Sequence, residues 1–256
     1  MHAPVENLAD IAADVLARVR DRAPRVHCIT NTVAQNYTAN VLLAAGAVPS
    51  MTIAPEEIAS FVASADALLV NLGTFDAERR AAVDAALGAA AAAHRPWVLD
   101  PVFIDRSPGR AAFARALLAR RPAAVRLNRS EFVTLFGGEA ADEAAVRAAK
   151  ASAIVVALTG DTDLVTDGMR RAAIRNGHPF MGLVTAMGCA GSALLGAALA
   201  VESDPWLAAV AALAALGVAG EIAGVGATGP GSFATAIIDA LHGLDRATLR
   251  ARIKVS

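Results

Sequence analysis

Short apolar runs alternate with longer helical segments along almost the whole chain, and this alternation limits the folds open to it. Ala67 to Val70 and Trp97 to Leu99 are apolar runs of strand length, and an Ala-rich helical segment from Asp76 to His94 separates them. A strand–helix–strand order is typical of parallel strands joined by crossover helices. The sequence therefore predicts an α/β fold with a mainly parallel central sheet and helices on both faces.

One departure from this order is predicted in the second half of the chain. Thr162 to Thr166 and Arg170 to Arg175 are short β segments close enough to pair as an antiparallel hairpin. Earlier, Pro55-Glu-Glu57 is predicted to open a helix, because acidic side chains favour the first turn. No repeat or low-complexity linker interrupts the pattern, so we predict one domain over residues 1–256.

Composition and charge exclude several classes of protein. The longest apolar stretch, Val210 to Val225, carries Glu221 and several glycines, so we predict a buried helix and no membrane partner. A net charge of −1 without a basic stripe argues against a nucleic-acid partner. Cys28 and Cys189 cannot form a disulfide framework, and Met1 to Asp10 lack a signal-peptide pattern. We therefore expect a cytoplasmic location.

Polar or glycine-containing segments directly follow five of the predicted strands. Ligands of open α/β sheets bind beyond the carboxyl ends of the strands, so these segments are candidate site residues. Each one alone is also compatible with an ordinary turn, but together they could supply the donors and carboxylates of a phosphate site. In chain order they are Thr30-Asn31, Asn71-Leu-Gly-Thr74, Asp100-Pro101, Arg126-Leu-Asn128 and Thr159-Gly160.

The segment from Val184 to Ser192 joins small residues to the start of a strongly apolar helix. The backbone N–H groups of Ala186 to Cys189, including that of Gly188, are expected at the helix N-terminus, which binds anions. Such an end suits the negative charge of a transferring phosphoryl group. Cys189 is predicted to have a lowered pKa there. The alternative is a close-packed turn with a buried, unreactive cysteine.

Three further residues are candidates for organising a metal ion. Asn128 and Glu131 are three apart at a helix start, so both side chains could address the water shell of Mg²⁺. The alternative is an N-cap residue with a capping-box glutamate. Asp100 at a strand end is a second carboxylate, although Asp-Pro is also a common turn signal.

Other familiar site motifs are missing from the sequence. It contains no GxxxxGK[ST], GxGxxG or GxSxG pattern, and its five histidines show no metal spacing. The chain is therefore neither a P-loop kinase nor a dinucleotide enzyme by motif.

Segments in a fixed order carry a family resemblance over nearly the whole chain. They are His27-Cys-Ile-Thr-Asn31, Gln35-Asn-Tyr-Thr-Ala-Asn40, Gly46-Ala47, Pro49-Ser-Met51, Ala54-Pro-Glu-Glu57, Asn71-Leu-Gly-Thr74, Leu99-Asp-Pro-Val102, Thr159-Gly160, Asn176-Gly-His178, Val184-Thr185, Gly188-Cys189 and Gly229-Pro-Gly-Ser-Phe233. Together they resemble the hydroxyethylthiazole kinase family.

The resemblance implies a ribokinase-like fold and an ATP- and Mg²⁺-dependent kinase. The expected reaction is phosphorylation of the primary hydroxyl of 4-methyl-5-(2-hydroxyethyl)thiazole in thiamine biosynthesis or salvage. A homotrimer with active sites between subunits is also implied.

The resemblance also implies site roles, carried over position by position. They are substrate binding by Asn31, Met51 and Ala186, ATP binding by Arg126 and Thr159, metal organisation by Glu131, Asn128 and Asp100, and catalysis by Cys189 and Gly188. Ala186 stands where the family usually has glycine, and Cys189 stands where relatives in the wider fold place an aspartate base. Whether Cys189 is a weak base or positions the hydroxyl is left open.

The chain departs from the family pattern at three places. Phe103 to Pro108 replaces a usual Gly-rich run, Arg126-Leu-Asn-Arg-Ser-Glu131 is bulkier than usual, and the segment from Phe136 to Asp142 is shorter. These departures bear on the rate and the nucleotide preference more than on the class of reaction. Two other functions stay open. One is a different small-alcohol kinase of the same fold, such as a hydroxymethylpyrimidine kinase, and the other is a non-catalytic protein that binds thiazole or nucleotide.

Overall fold

The computed structural model describes residues 8–256, and in this range eight strands form one sheet. The strand order is β2-β1-β3-β4-β5-β6-β7-β8; β1 to β6 are parallel, whereas β7 and β8 form an antiparallel hairpin after β6. The strands are β1 (Arg25–Ile29), β2 (Val48–Ser50), β3 (Ala67–Asn71), β4 (Trp97–Asp100), β5 (Ala124–Asn128), β6 (Val155–Thr159), β7 (Asp163–Thr166) and β8 (Arg171–Ile174).

Helices connect the parallel strands and follow the hairpin. They are α1 (Leu8–Arg22), α2 (Gln35–Ala45), α3 (Ile58–Ser64), α4 (Ala77–Ala92), α5 (Pro108–Leu118), α6 (Arg129–Phe136), α7 (Asp142–Ser152), α8 (Met187–Leu199), α9 (Pro205–Gly224), α10 (Pro230–Gly243) and α11 (Arg246–Arg252). Short 3-10 helices lie at Ile104–Arg106 and Pro179–Leu183.

Hydrophobic side chains pack on both faces of the sheet. On β3, Leu69 points into one core cluster, whereas Leu68 and Val70 point into the other. The first cluster contains residues of α1, α2, α8, α9, α10 and α11, and the second contains residues of α3 to α7. Alternate strand residues face opposite sides, so a sheet buried on both faces needs the continuous apolar runs seen in this sequence. The predicted α/β fold class is confirmed.

Helix α9 is long and apolar enough to cross a membrane by length and composition. However, 78% of its most apolar window is buried inside the protein, where the helix packs against α1, α8 and α10. The helix is long and apolar because it lies in the centre of the core, and the buried helix predicted for Val210 to Val225 is confirmed.

Of two local predictions, one is confirmed and the other is wrong. The predicted hairpin is confirmed, but the predicted helix start at Pro55 to Glu57 is wrong because these residues form a turn and α3 begins at Ile58. The Glu57 N–H donates to the Ala54 carbonyl (3.2 Å), which closes this turn before the helix. The expectation about Met1 to Asp10 falls largely on residues 1–7, which lie outside the described residues.

Candidate functional site

The carboxyl ends of five neighbouring strands bring most of the predicted site residues to one edge of the sheet. Asn71 ends β3 and lies beside Asp100 at the end of β4, and Asn128 ends β5 and lies beside Thr159 at the end of β6. Asn31 follows β1, and β1 pairs with β3 on the side opposite to β4. The shared edge results from parallel pairing, because every parallel strand ends on the same side of the sheet.

A chain of hydrogen bonds joins the start of α8 to the end of β4. The Asn31 Nδ2 amide donates to the Cys189 Sγ (3.3 Å) and to the Asn71 Oδ1 (3.4 Å). Asn71 in turn donates through Nδ2 to the Asp100 Oδ2 at 2.6 Å. The structure therefore brings together Asn31, Cys189 and Asp100, which are far apart in the sequence, and connects them through Asn71.

Most of the backbone donors predicted at the start of α8 are open, but the Met187 N–H donates to the Val184 carbonyl at 3.3 Å. Ala186 precedes the helix in a left-handed conformation (φ 72°), and the helix begins at Met187. Gly188 and Cys189 therefore lie in its first turn, where N–H groups lack partners within the helix. Ala186 and Gly188 are half-buried, so this end of the helix is reachable from solvent.

The thiol of Cys189 does not have the lowered pKa that its position predicts. Burial raises the pKa of Cys189 to about 11, and the negative charge of Asp100 adds to the increase. Hydrogen bonds from Asn71 and Asn31 and the charge of Arg126 act in the opposite direction but are smaller. The prediction of a polarised thiol is wrong because desolvation of the thiolate outweighs the helix N-terminus at this depth.

Asp100 is a buried carboxyl group whose pKa is raised. Burial raises the pKa of Asp100 to about 6, the charge of Arg126 lowers it, and the nearby charge of Glu131 raises it. The hydrogen bond from Asn71 also favours the ionised form. A carboxylate held in this way is a strong local site for positive charge.

Asn128 and Glu131 form a complete capping box at the start of α6. The Asn128 Oδ1 accepts the Glu131 N–H (2.9 Å), and the Glu131 Oε2 accepts the Asn128 N–H (2.9 Å). The other oxygen, Oε1, accepts the N–H of Phe103 at 2.8 Å. The capping box that was the alternative interpretation is therefore present, and backbone donors from two segments hold the buried Glu131 carboxylate in place.

The contact with Glu131 holds an unusual turn after β4. Val102 and Phe103 both have positive φ angles, 21° and 57°, which non-glycine residues rarely adopt. The carbonyl of Val102 also accepts a hydrogen bond from Arg110 Nη1 at 2.8 Å. Glu131 and Arg110 thus offset backbone strain of about 1–3 kcal/mol per residue. This turn begins the segment that replaces the Gly-rich run, and its exposed residues Phe103 and Arg106 border a cavity of about 320 Å³.

The carboxylates of Asp100 and Glu131 fit a hydrated magnesium ion. They lie close enough for the charge of Glu131 to raise the pKa of Asp100, and a divalent cation beside them would relieve this repulsion. Within residues 8–256, no group of three or more His, Cys, Asp or Glu side chains could enclose a metal ion. Magnesium suits such a sparse set, because it keeps several waters and uses one or two carboxylates together with phosphates.

A cavity of about 630 Å³ lies between the strand ends and the start of α8. Arg126, Thr159 and Gly188 are among its lining residues, and the Arg126 Nη1 donates to the Gly188 carbonyl at 3.0 Å. The buried Nε of Arg126 has no hydrogen-bond partner among the described residues. The two predicted ATP-binding residues therefore line one cavity with the helix end predicted to bind phosphate.

Met51 is separate from this polar arrangement. It follows β2 at the edge of the sheet, is half-buried and packs against the first core cluster. Asn71, by contrast, has a central place that is not predicted from the sequence, although it lies in a predicted strand-end segment. An asparagine that directly ends the all-apolar run Ala67 to Val70 is the signal that points to it.

Comparison with known proteins identifies the family of this fold and site. A family model described as the hydroxyethylthiazole kinase family matches residues 16–247. The hydroxyethylthiazole kinase of Granulibacter bethesdensis is 47% identical over 249 residues, which cover 92% of this chain and 91% of that one. The chain belongs to the hydroxyethylthiazole kinase family.

Solved structures agree with this assignment. The structure of a hydroxyethylthiazole kinase protein from Pyrococcus horikoshii OT3 matches with a TM-score of 0.92 and 38% identity, over 96% of this chain and 98% of that one. A ribokinase-like superfamily protein from Enterococcus faecalis V583 matches at 12% identity with a TM-score of 0.68, which shows the fold alone. The protein thus has a ribokinase-like fold and belongs to a kinase family, as the resemblance implies.

The buried carboxyl of Asp100 predicts a pH-dependent gain in stability for Asp100→Asn. The pKa of Asp100 in the folded protein, about 6, lies above its ordinary value of 3.8. The contribution of this shift to the free energy of unfolding of the wild type is therefore fully present below pH 3.8 and is lost as pH rises through 6. An asparagine side chain in its place can still accept the hydrogen bond from Asn71 but carries no charge. We expect the stability of Asp100→Asn relative to wild type to rise by up to about 3 kcal/mol between pH 4 and pH 8 in metal-free urea titrations.

The matched control for this experiment is Asp239→Asn, at an exposed position on α10. It should change the free energy of unfolding by the same small amount at both pH values. A difference between Asp100→Asn and wild type that does not vary with pH would contradict the raised pKa of Asp100.

The raised pKa of Cys189 predicts slow thiol chemistry. In a Cys28→Ala variant, which leaves Cys189 as the single thiol, about 0.1% of the thiol is ionised at pH 8 if its pKa is near 11. We expect dithionitrobenzoate to modify the folded variant at least ~100-fold more slowly than free cysteine, and the urea-unfolded variant at the normal rate. Rapid modification of the folded protein would restore the prediction of a polarised thiol.

Proposed function

We propose that the protein transfers the γ-phosphoryl group of ATP to the primary hydroxyl of 4-methyl-5-(2-hydroxyethyl)thiazole, in thiamine biosynthesis or salvage. Membership of the hydroxyethylthiazole kinase family supports the reaction. The observation that carries the proposal is the convergence of the α8 N-terminus, Cys189 and Asp100 at one sheet edge. This arrangement offers an anion-binding helix end beside carboxylates that can organise positive charge.

The donor nucleotide is proposed to occupy the cavity between β5, β6 and α8. Arg126 lines this cavity and supplies a positive charge that attracts phosphate, and its Nη1 donates to the Gly188 carbonyl at the start of α8. Thr159 ends β6 at the cavity wall and supplies a hydroxyl group that bonds the Leu127 carbonyl at 3.3 Å. Arg126 and Thr159 are therefore assigned to ATP binding.

The acceptor alcohol is proposed to bind near Asn31, with Met51 and Ala186 providing apolar contacts. Asn31 reaches the Cys189 thiol, so a hydroxyl bound beside them can be directed towards the α8 N-terminus. Ala186 precedes this helix, and Met51 follows β2 at the neighbouring edge of the sheet. A half-buried methionine suits an apolar ring because its side chain is flexible and polarizable.

The chemistry of the transfer depends mainly on positioning and charge neutralisation. Phosphoryl transfer passes through a loose transition state in which the attacking oxygen needs little help from a base. With a pKa near 11, Cys189 is a neutral thiol at physiological pH, so we assign it the orientation of the hydroxyl rather than strong base catalysis. The backbone N–H groups at Gly188 and Cys189 stabilise negative charge on the phosphoryl oxygens.

Asp100, Glu131 and Asn128 are proposed to hold Mg²⁺, largely through water. The ion would neutralise charge on the nucleotide phosphates. Glu131 uses one lone pair on each oxygen for a backbone N–H, and its remaining lone pairs are available to water molecules. The capping box therefore fixes the carboxylate without removing it from the site.

ADP release is the direct test of this function. With ATP and Mg²⁺, we expect hydroxyethylthiazole to stimulate turnover well above both hydroxymethylpyrimidine and a no-acceptor blank. Glu131→Gln should lower kcat at least ~100-fold, because it removes a negative charge and leaves one backbone N–H without its acceptor. Circular dichroism melting should show that the variant is folded at the assay temperature.

Glu143→Gln, at an exposed position in the first turn of α7, is the matched control and should retain wild-type kcat. Turnover with hydroxymethylpyrimidine alone would replace the thiazole by a different acceptor. A folded protein that binds ATP without turning over either acceptor would be the non-catalytic alternative.

We also propose a single domain, a cytoplasmic location and a homotrimer with active sites between subunits. Support for assembly comes from the edge of the sheet at β2, where Val33, Leu43, Val48 and Phe61 are exposed hydrophobic side chains on or near α2, β2 and α3. At the other edge, the C-terminal residues cover β8 through the Ile174–Val255 bridge. No strand among residues 8–256 pairs with the outer side of β2, and an apolar sheet edge of this kind favours association with another chain.

Size-exclusion chromatography with light scattering tests the assembly, and we expect three times the mass of one chain. Val48→Lys should shift the protein towards smaller species, because it places charge on the β2 edge. The control Met169→Lys changes an 80% exposed side chain next to β8 and should leave the mass unchanged. A monomeric wild-type protein would contradict the trimer.

A further inference from the structure

Asn71 is a fully enclosed polar side chain in the middle of the carboxyl edge of the sheet. It is 1% exposed, ends β3, and lies between β1 and β4 in the strand order. A buried amide must satisfy its donors and acceptors inside the protein, so its partners define its position. These partners include Asn31, where the acceptor alcohol is proposed to bind, and Asp100, one of the proposed metal-organising carboxylates.

The hydrogen bonds of Asn71 fix the orientation of its amide. The Oδ1 atom accepts the backbone N–H of Gly73 (3.0 Å) and the Nδ2 amide of Asn31 (3.4 Å). Because two N–H groups point at Oδ1, the Nδ2 group must point the other way, where it donates to Asp100 at 2.6 Å. A reversed amide would place donors against donors and oppose two oxygens.

Asn71 therefore joins the acceptor side of the site to its carboxylate side. Asn31 donates through Nδ2 both to the Cys189 thiol and to the Asn71 Oδ1. On its other side, Asn71 bonds directly to Asp100, the buried carboxylate beside Glu131. One side chain thus sets the spacing between the groups that would hold the alcohol and the groups that would organise the phosphates.

A second observation shows how closely this network is packed. A Cβ atom on Gly73 would lie 2.6 Å from the Asn31 Nδ2 and 2.8 Å from the Asn31 Cβ. Any side chain at residue 73 would therefore displace Asn31 from Asn71 and Cys189. A substitution at Gly73 would thus disturb the network at Asn31, whereas Asp100 bonds the other end of the Asn71 amide.

We propose that Asn71 is a positioning residue for phosphoryl transfer, holding Asn31 and Cys189 at a fixed distance from Asp100. The inference rests on the proposed function. In-line transfer requires the reacting atoms to be about 3–3.5 Å apart, and a misplacement of about 1 Å can cost 100-fold in rate. Loss of the Asn71 bridge should therefore reduce the rate of transfer far more than the binding of the nucleotide.

The test compares Asn71→Ser and Gly73→Ala with wild type in the full-length protein. Serine cannot span from Asp100 to Asn31, and alanine at residue 73 moves Asn31 while leaving Asn71 in place. We expect both variants to lower kcat with hydroxyethylthiazole at least ~100-fold. The Kd for a non-hydrolysable ATP analogue, measured by calorimetry, should stay within about threefold, since neither residue lines the nucleotide cavity.

The ratio of ADP released to thiazole phosphate formed gives a readout that loss of stability alone would not change. A misplaced alcohol leaves the phosphoryl group open to water, so both variants should release more ADP per phosphorylated thiazole than wild type. Thiazole phosphate can be quantified by mass spectrometry in the same reaction. A ratio that stays at the wild-type value would mean that positioning is intact.

The matched control is Thr166→Ala. Thr166 is also fully buried, and its hydroxyl bonds the Arg170 carbonyl and the Gly168 N–H. Thr166 is the last residue of the antiparallel strand β7 and pairs with Val156 near the start of β6. It therefore lies at the amino ends of the parallel strands, whereas the site lies at their carboxyl ends. Thr166→Ala should lower the urea midpoint but keep kcat and the product ratio within about threefold of wild type.

Besides an unchanged product ratio, three further results would overturn the inference. Retention of kcat within about threefold by folded Asn71→Ser and Gly73→Ala would show that the bridge is not needed. An equal loss of kcat in Thr166→Ala at the same loss of stability would attribute the effect to folding. A folded wild-type protein inactive with hydroxyethylthiazole would instead refute the proposed function, and the inference with it.

Discussion

The register between β3 and β4 places Asn71 beside Asp100, and the rest of the site is arranged around this pair. Both side chains are buried, so the 2.6 Å hydrogen bond between them forms where water cannot replace either partner. The neighbouring strands β1 and β5 then bring Asn31 and Asn128 to the same edge. Sheet pairing that is set by apolar residues thus determines which polar residues meet.

Burial also decides the chemical character of these groups. Cys189 lies in the first turn of a helix, a position that favours a thiolate, yet its pKa is raised to about 11. Asp100 responds in the same direction, with a pKa raised to about 6. In both cases desolvation is larger than the favourable charge of Arg126 and the nearby hydrogen bonds. A site of this kind acts through fixed positions and through charges supplied by its ligands.

The sequence predicts those parts of this structure that depend on local pattern. Apolar runs of period and length typical of strands locate the sheet, and the polar residues after them, such as Asp100 and Asn128, locate its functional edge. Patterns cannot reveal contacts between distant segments, such as the bond from Phe103 N–H to Glu131 across 28 positions. The predicted low pKa of Cys189 is wrong for a related reason, since depth in the fold depends on all the elements packed around a residue.

Glu131 shows that a capping role and a functional role need not be alternatives. An ionised carboxylate offers about four lone-pair sites, and the backbone N–H groups of Asn128 and Phe103 occupy two of them. These bonds fix the carboxylate against α6 and the strained turn after β4, so its charge is held in place before any ligand arrives. Preorganised charge of this kind costs no reorganisation during phosphoryl transfer. The same bonds that begin the helix therefore prepare the site for positive charge.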